Sequence, residues 1–405
     1  MIYTTTPLYV LLFSINLLST SALPDLRIRD ALASAFDLPR TFWPSKRANS
    51  DFNSTGINFN PNGSAFLWLP EDTYAGTDFF DRWTFFDQPD FTHGTVTYVN
   101  RQTAFDKGYA FVQDDGTIIM KADTTSVLPA GVNRESVRIN SNTTYNGGLF
   151  ILDLNRAPWG CAIWPAFWTV GLGRTWPANG EVDILEGVHD QEHNQIAWHT
   201  EAGCLIDPTA PFTGQLTQTN GVNNTNCDAN LNQNSGCAVT EWSRASYGPF
   251  FEAQGGGILA MKWDENDISV WSFFRAAIPT DVTQGTPNPS LWGPPSATLR
   301  NTTCDIENNF INHTIVFDIT FCGDWAGNSY ATSGCPGTCP DRLMDPTNFV
   351  NATWSINSLK VYRKQTIAGN ITALAGEAYG LARTRLPIVE LVLLVMATMM
   401  LSFAW

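Results

Sequence analysis

The chain has 405 residues, of which 43% are hydrophobic and only 15% charged, and its formal net charge is −15. This length can bury a large core in one β domain or in two smaller domains. The acidic balance excludes a nucleic-acid-binding surface, which requires a basic footprint. The fifteen tryptophans instead indicate an uncharged ligand with flat apolar faces, such as a pyranose ring, and about half of them are expected to fill the core.

Residues 1–22 have the order of a secretory signal peptide. The apolar run Leu8–Leu18 is followed by the small residues 19–22, which form a cleavage site. Eight cysteines and eight Asn-x-Ser/Thr sequons favour the same oxidising and glycosylating pathway. The sequons begin at Asn53, Asn62, Asn142, Asn223, Asn301, Asn312, Asn351 and Asn370.

Residues 23–64 are expected to be a linker or pro-segment, because they carry Pro, Ser and Asn but few periodic apolar residues. Lys46 and Arg47 are either a dibasic processing site or two solvated charges. The folded domain is expected over residues 65–365.

Within that domain, short β-rich runs alternate with clusters of Gly, Pro, Asn and Asp. Residues 114–117 carry an Asp-Gly pair that predicts a hairpin, and residues 264–267 predict a second one. Further strands are expected over residues 95–99, 314–321 and 354–362. Because no helical pattern exceeds about two turns, the sequence predicts a β-sandwich or jelly roll.

The eight cysteines allow many disulfide pairings, and the sequence does not fix which of them form. Two local closures are expected, namely Cys227 with Cys237, and Cys335 or Cys339 with Cys322 or Cys304. A zinc site is the competing interpretation of Cys335-Pro-Gly-Thr-Cys339. An oxidising compartment and the lack of a second ligand pair nearby disfavour it.

The stretch from Gly180 to Gly187 alternates carboxylates with aliphatic residues, as in a strand with one buried face. Glu181 and Asp183 share a face, but Glu186 lies five residues from Glu181 and would point into the core of a regular strand. An extra residue at Ile184-Leu185, a β-bulge, would return Glu186 to the acidic face. The two glutamates would then be roughly 13 Å apart at Cα, and their carboxyl groups could approach the roughly 5–5.5 Å of retaining glycoside hydrolysis.

Glu-x-Asp-x-x-Glu in this setting resembles the bulged active-site strand of family 16 glycoside hydrolases. In isolation the motif would favour solvated acids, but the flanking stretches resemble fungal laminarinase-type endo-1,3(4)-β-glucanases over most of residues 65–365. These stretches are Arg134–Ile139, Thr144–Phe150, Gly160–Trp168, Trp176–Gly180, Trp198–Thr200 and Cys322–Trp325.

The resemblance implies a concanavalin-like β-jelly-roll sandwich of two curved antiparallel sheets, with the glycan in a cleft across the concave face. It also implies that Glu181 is the nucleophile and Glu186 the acid/base, with Asp183 orienting Glu181. Their environment is expected to keep Glu181 ionised and Glu186 protonated. Mutual repulsion within such a trio raises at least one proton affinity.

Several further residues are candidates for contacts with the acids or the sugar. His199 is expected on the next strand, within reach of the acids, and only the resemblance raises it above a structural histidine. The stacking candidates are Trp164, Trp168, Trp176 and Trp325, and of these four Trp168 is the one most expected to lie in the core instead. Arg138 and Asn146 are either sugar ligands or an ordinary strand arginine and turn asparagine. His189 and His193 lack the zinc-protease order, no loop is specific enough for calcium, and we expect neither metal nor cofactor.

Residues 366–405 have the order of a linker followed by a GPI-attachment signal. Small residues at 375–378 precede a short polar spacer and the apolar run Leu386–Trp405. Ala375 and Gly376 are candidate attachment residues. The alternative is an ordinary single-pass anchor, which the limited length of the run disfavours.

The sequence therefore predicts a monomeric, secreted, GPI-anchored enzyme that cleaves β-1,3 and also mixed β-1,3/1,4 glucan with retention. The first alternative is a transglycosylase in which another glucan resolves the glycosyl-enzyme. Wall cross-linkers of that kind usually carry the unbulged Glu-x-Asp-x-Glu. A non-catalytic glucan-binding wall protein is the alternative from another class, and it would be expected to lose one of the two glutamates.

Overall fold

The computed structural model of the chain describes residues 56–231, 234–244 and 246–367. The predicted signal peptide, most of the predicted linker and the predicted GPI signal lie outside these ranges. The strands are β1 (Asn58–Phe59), β2 (Ala65–Tyr74), β3 (Trp83–Phe85), β4 (Val96–Tyr98), β5 (Ala110–Val112), β6 (Ile118–Lys121), β7 (Arg134–Ser136), β8 (Arg138–Tyr145), β9 (Gly148–Arg156), β10 (Ile163–Gly171), β11 (Glu181–Glu186), β12 (Gln195–His199), β13 (Gln215–Leu216), β14 (Gln218–Thr219), β15 (Val222–Asn223), β16 (Cys237–Thr240), β17 (Gly257–Trp263), β18 (Asp267–Phe274), β19 (Ala297–Arg300), β20 (His313–Phe321) and β21 (Thr353–Thr366).

The described helices are all short, as the sequence predicts. The α-helices are α1 (Arg101–Asp106), α2 (Gly248–Ala253), α3 (Thr280–Thr283), α4 (Ile306–Asn309) and α5 (Cys339–Arg342). Short 3₁₀ or π helices cover Gly76–Arg82, Arg275–Ala277, Pro289–Leu291, Gly323–Gly327, Tyr330–Thr332 and Pro346–Phe349. None of the helices in the described ranges has the length and apolar character that a membrane span requires.

Two large sheets dominate the fold. One has nine strands in the order β1-β2-β21-β9-β17-β18-β19, with β5 and β6 attached to β21, and the other has eight in the order β13-β16-β12-β11-β10-β20-β8-β3. All neighbours within both sheets are antiparallel. The predicted all-β architecture is confirmed, and so are both predicted hairpins, β5–β6 and β17–β18.

Alternating side chains on the central strands build the core between the sheets. On β10, Ile163 and Phe167 are buried in it, and on β20 the residues Ile315, Phe317, Ile319 and Phe321 are fully buried. The rings of Phe167 and Phe317 stack with their centroids 4.6 Å apart. The other face of β10 and β20 is thereby left free for polar side chains, because successive residues of a strand point to opposite faces.

The outer face of the nine-stranded sheet is covered as well. A second apolar cluster includes Phe66, Trp271 and Tyr362 from its strands, with Val282 and Trp292 from the segment between β18 and β19 packed over them. The Trp292 indole is fixed there because its Nε1 donates to Asp281 Oδ2 at 2.8 Å. In the part of the chain that the structure describes, the face of the eight-stranded sheet that points away from the core carries Glu181, Asp183 and Glu186.

Strand pairing in the described residues starts before the predicted domain boundary at residue 65. Asn58 and Phe59 pair with β2, and the Asn58 side chain is fully buried while its Nδ2 donates to Gly56 O at 2.9 Å. Asn58 and Phe59, which composition assigned to the linker, are thus part of the sheet. The polar composition of that segment concealed this because Asn58 is held by backbone hydrogen bonds instead of apolar packing.

Four disulfides include all eight cysteines. The predicted Cys227–Cys237 bond is confirmed, and Cys322 bonds Cys339, one of the predicted options. The other options are wrong, because Cys335 bonds Cys161 and Cys304 bonds Cys204. These two bonds join segments 174 and 100 residues apart, a proximity that spacing along the chain cannot indicate.

The packing of Phe167 against Phe317 between the sheets should contribute to the stability of the fold. We expect Phe167→Ala to lower the free energy of unfolding by about 3–5 kcal/mol, because the side chain is 1% exposed and its removal leaves a cavity. Urea denaturation of the purified protein measures this. Phe59→Ala, at a ring that is 54% exposed, is the control and should stay within about 0.5 kcal/mol. Equal effects of the two changes would contradict this description of the core.

Candidate active site

Strand β11 contains the predicted β-bulge. Opposite β12, Asp183 pairs with Ala197 but Glu186 already pairs with Gln195, so the two residues between them on β11 face one on β12. Ile184 and Leu185 are consequently both buried in the core. Glu186 returns to the open face that carries Glu181 and Asp183, as the sequence predicts.

Two glycines allow β11 to lie where it does. Gly180 has φ +79°, and a Cβ there would lie 2.4 Å from Asn309 O. A Cβ at Gly187 would lie 2.7 Å from the ring of Tyr247. Since real contacts of that kind are not tolerated, glycine is required at both ends of the strand.

Tryptophan indoles hold both glutamates. Trp164 Nε1 donates to Glu186 Oε1 at 2.8 Å, and Trp176 Nε1 donates to Glu181 Oε2 at 3.0 Å. Trp164 lies on β10, while Trp176 lies in the segment that leads into β11 and is 40% exposed. Each proposed catalytic carboxylate therefore has one oxygen fixed and is flanked by a flat apolar ring.

His199 lies beside the acids, as expected from its place on β12. It pairs with Glu181 across the ladder, and its Nε2 is 3.2 Å from Asp183 Oδ2 and 3.9 Å from Glu181 Oε1. The closer contact has a short distance but not the alignment of a hydrogen bond. The ring also lies against the indole of Trp176, with 6.0 Å between the centroids. Asp183 and His199 thus form one group with Glu181.

Trp325 and Arg138 join this face, whereas Asn146 does not. Trp325, in the turn after β20, meets Trp164 edge to face with 6.0 Å between ring centroids. Arg138 Cζ lies 5.0 Å from the ring centroid of Trp168. Asn146 sits in the turn between β8 and β9, three strands from β11, which is roughly 14 Å across the sheet. Its Oδ1 accepts the backbone N–H of Asn312 at 2.7 Å, so it is a turn residue.

The expectation that Trp168 belongs to the core is wrong. It lies four residues from Trp164 on β10, so both share the open face, and Trp168 pairs with Asp183 across the ladder. Its Nε1 donates to Asp318 Oδ2 at 3.0 Å. Asp318 is a fourth carboxylate that the sequence analysis missed, although its alternation with Phe317 and Ile319 already assigns it to the polar face of β20.

Burial raises the pKa of all four carboxyl groups. The pKa of Glu181 rises to about 8, through burial and then the Asp183 charge, against the opposing effects of His199 and Trp176. Burial and Asp318 raise the pKa of Asp183 to about 8, and burial raises that of Asp318 to about 7. Burial and Asp183 hold the pKa of Glu186 well above its ordinary value.

The raised pKa of Glu186 agrees with the protonated general acid expected there. The raised pKa of Glu181 does not agree with the ionised nucleophile expected at that position. The repulsion between Glu181 and Asp183 disappears when Asp183 holds a proton, because interacting groups titrate as a unit. A proton on Asp183 therefore favours the ionised form of Glu181.

Residues 83–362 match the XgeA-like, catalytic GH16 domain. The chain belongs to glycoside hydrolase family 16. A probable glycosidase of Schizosaccharomyces pombe is 43% identical over 295 residues, which is 72% of this chain and 68% of the relative. The endo-1,3(4)-beta-glucanase xgeA of Emericella nidulans is 38% identical over 304 residues, 72% of this chain and 47% of the relative. The chain thus spans about half the length of that glucanase.

Two solved structures of family 16 resemble this chain. Laminarinase 16A from Phanerochaete chrysosporium, determined with 6-O-glucosyl-laminaritriose in its donor and acceptor sites, is 41% identical with a TM-score of 0.69. An elongating family 16 beta-1,3-glucosyltransferase is 37% identical with a TM-score of 0.67. Each comparison covers 73% of this chain and all of the other. The predicted family and jelly-roll fold are confirmed.

Three side chains of the site are close enough together to bind a metal ion. Glu181, Asp183 and His199 each offer one ligand atom, and these atoms lie within 4.8 Å of one another. The same side chains form the acidic centre of the site, and we assign them no metal. The prediction that no metal is needed stays a prediction.

The pKa of Asp318 makes stability depend on pH. Because this pKa rises from 3.8 to about 7, the folded protein binds an extra proton between those values, and its free energy of unfolding falls as the pH rises through them. We expect Asp318→Asn to remove this loss, which is up to about 4 kcal/mol. Its thermal midpoint should exceed that of the wild type at pH 8 but not at pH 4.

The control for this prediction is Asp115→Asn. Hydrogen bonds from Thr117 lower the pKa of Asp115, so this change should cost more stability at pH 8 than at pH 3, the opposite direction. If Asp318→Asn did not raise the thermal midpoint at pH 8 relative to pH 4, the ionised Asp318 would not destabilise the folded protein as its burial implies.

Proposed function

We propose that this family 16 chain is a retaining endo-β-glucanase that cleaves β-1,3 and mixed β-1,3/1,4 linkages. The observation that carries the proposal is the pair Glu181 and Glu186 on one open face of a bulged strand, each fixed by a tryptophan N–H. Two carboxyl groups so arranged suit the double displacement of retaining glycosidases.

In the first step, the Glu181 carboxylate attacks the anomeric carbon while Glu186 gives its proton to the leaving glycosidic oxygen. A covalent glycosyl-enzyme forms and the reducing-end fragment departs. In the second step, Glu186, now ionised, takes a proton from water, whose oxygen attacks the same carbon and releases Glu181. Both glutamates end in their starting states, and the configuration at carbon is retained.

Asp183 and His199 adjust the charge of the nucleophile in this scheme. The imidazole lowers the pKa of Glu181, whereas the ionised Asp183 raises it. A proton held on Asp183 would therefore lower the basicity of Glu181 and allow it to ionise beside a protonated Glu186. As Glu181 becomes an ester, Glu186 gives its proton to the leaving oxygen and takes up the negative charge, so the total charge on the face is unchanged while Asp183 keeps its proton.

The tryptophan rings support a glucan substrate. Trp164, Trp176 and Trp325 are each partly exposed around the acids, and indole faces stack against the C–H faces of pyranose rings. The relatives named endo-1,3(4)-beta-glucanase and the laminarinase that holds a β-glucan support the β-1,3 linkage for this chain.

The two glutamates should respond differently to substitution. We expect Glu181→Ala to abolish turnover of β-1,3-gluco-oligosaccharides while leaving their binding measurable by calorimetry. Glu186→Gln should lower turnover roughly 10²–10⁴-fold, and the loss in kcat/KM, which reports the first step, should shrink for aryl glycosides whose leaving group needs no protonation. Initial rates on both substrate classes measure this.

Glu307→Gln, at an exposed carboxyl in the first turn of α4, is the control and should keep wild-type rates. Turnover by Glu181→Ala would refute the nucleophile assignment, and full oligosaccharide hydrolysis by Glu186→Gln would refute the acid. A wild type that binds glucan without cleaving any linkage would favour the non-catalytic binding protein instead.

Transglycosylation is the second candidate, because a relative with a TM-score of 0.67 is an elongating glucosyltransferase. Hydrolysis and transfer share the glycosyl-enzyme and differ only in whether water or a second glucan attacks it. We expect mass spectrometry after incubation in oxygen-18 water to show shorter products with one heavy oxygen at the new reducing end. Longer, unlabelled products would identify a transferase.

We also propose that the protein passes through the secretory pathway and is held at the cell surface or wall by a GPI anchor. The four disulfides support an oxidising compartment. Among the described sequons, Asn62, Asn142, Asn223 and Asn301 are exposed and accessible to glycosylation.

The anchor can be tested with the full chain expressed in a eukaryotic host. We expect phosphatidylinositol-specific phospholipase C to release the protein from cells, and an enzyme that removes N-glycans to lower its apparent mass. Protein that stays on the membrane after phospholipase treatment would identify a single-pass anchor. A chain truncated after residue 367 is the control and should be secreted without treatment.

A further inference from the structure

Asn194 lies directly against the bulge of β11 and is fully buried. It ends the loop between β11 and β12. Its Oδ1 accepts the backbone N–H of Glu186 at 2.9 Å, and its Nδ2 donates to the carbonyl of Ile184 at 2.9 Å. One carboxamide thus satisfies both backbone groups that flank Leu185 on the side of β12.

The bulge creates the need for such a side chain. In β11 the ladder to β12 steps from Asp183 directly to Glu186, while Leu185 pairs with Phe167 on the opposite side. The N–H of Glu186 and the carbonyl of Ile184 lie among buried residues, where an unpaired polar backbone group is destabilising. The carboxamide takes the place of the peptide group that a regular strand would offer.

Asn194 is itself held at every polar group. Its backbone N–H donates to Ser246 Oγ at 2.8 Å, and that hydroxyl in turn donates to the carbonyl of Ser243 at 2.6 Å. Its carbonyl accepts the backbone N–H of Glu241 at 2.8 Å. With donors and acceptors on both backbone and side chain engaged, Asn194 is a fixed point between the bulge and the loop after β16.

We propose that Asn194 is a positioning residue for Glu186, and this rests on the acid role proposed above. Trp164 fixes the carboxyl end of Glu186, and Asn194 fixes its backbone. Together they set the direction from which the proton reaches the leaving oxygen. Loss of the carboxamide lets the bulge relax and moves Glu186 more than Glu181, which lies five residues away and has its own partners.

The first test is Asn194→Ala, measured with two substrate classes. We expect kcat on β-1,3-gluco-oligosaccharides to fall about 10²-fold, the size of effect that a 1 Å misplacement can cause. KM should stay within about threefold, because substrate binding is unchanged. On an aryl glycoside with a leaving group that needs no protonation, the loss in kcat/KM, which reports the first step, should be below about tenfold, following the pattern of Glu186→Gln.

The second test is Asn194→Asp, which preserves the shape of the side chain. A neutral carboxyl group can still donate to Ile184 O and accept from Glu186 N, whereas an ionised one can only accept. We expect the ratio of variant to wild-type kcat to be near one at acid pH and to fall as the pH rises. This variant keeps the proposal testable if the alanine variant does not fold.

The matched control is Asn288→Ala, at another buried asparagine whose Nδ2 donates to a backbone carbonyl, that of Ile57, at 2.7 Å. It should lower the unfolding midpoint without separating the two substrate classes. Equal losses on both classes with Asn194→Ala, or a pH-independent Asn194→Asp, would reduce Asn194 to a structural role. A wild type that hydrolyses neither class would instead refute the proposed function itself.

Discussion

The extra residue in β11 is the constraint on which the site depends. Without it, the five-residue separation of Glu181 and Glu186 would send one of them into the core. With it, both glutamates lie on the open face, and the consecutive residues Ile184 and Leu185 are both buried in the core. The glycines at both ends of β11 and the carboxamide of Asn194 make this geometry sterically and electrostatically acceptable.

The open face of the eight-stranded sheet also carries more acidic than basic side chains. Four carboxyl groups, Glu181, Asp183, Glu186 and Asp318, share a half-buried face with one arginine and one histidine. Burial without enough opposite charge favours the neutral acid, so the face retains protons at a pH where exposed carboxyls would have lost them. Trp164, Trp168 and Trp176 combine two properties, since they donate N–H groups to the carboxylates and remain partly exposed. The same imbalance that costs stability thus supplies the proton that a general acid needs.

Sequence patterns predicted much of this arrangement and missed some of it for identifiable reasons. Alternation and the improbability of a buried carboxylate predicted the bulge, and Asp-Gly predicted the β5–β6 hairpin. The assignment of Trp168 to the core was an error that its four-residue spacing from Trp164 could have prevented. Asp318 was visible as a polar residue in an alternating strand, but nothing local indicated that β20 lies beside β10. No sequence pattern indicated the role of Asn194, because its side chain bonds backbone atoms of the bulge, which every residue type has.

The sequence by itself determined which residues face the same way along each strand, because side chains in a strand alternate over two residues. It also determined the family, through an ordered set of motifs spread over most of the domain. Only the tertiary structure decided which strands are neighbours, and therefore that Asp318 meets Trp168, that Cys161 bonds Cys335 and that Asn146 is remote from the acids. Pairing between strands as distant in the chain as β2 and β21, where Phe66 lies opposite Thr366, depends on how the whole core packs, and no local pattern encodes that choice.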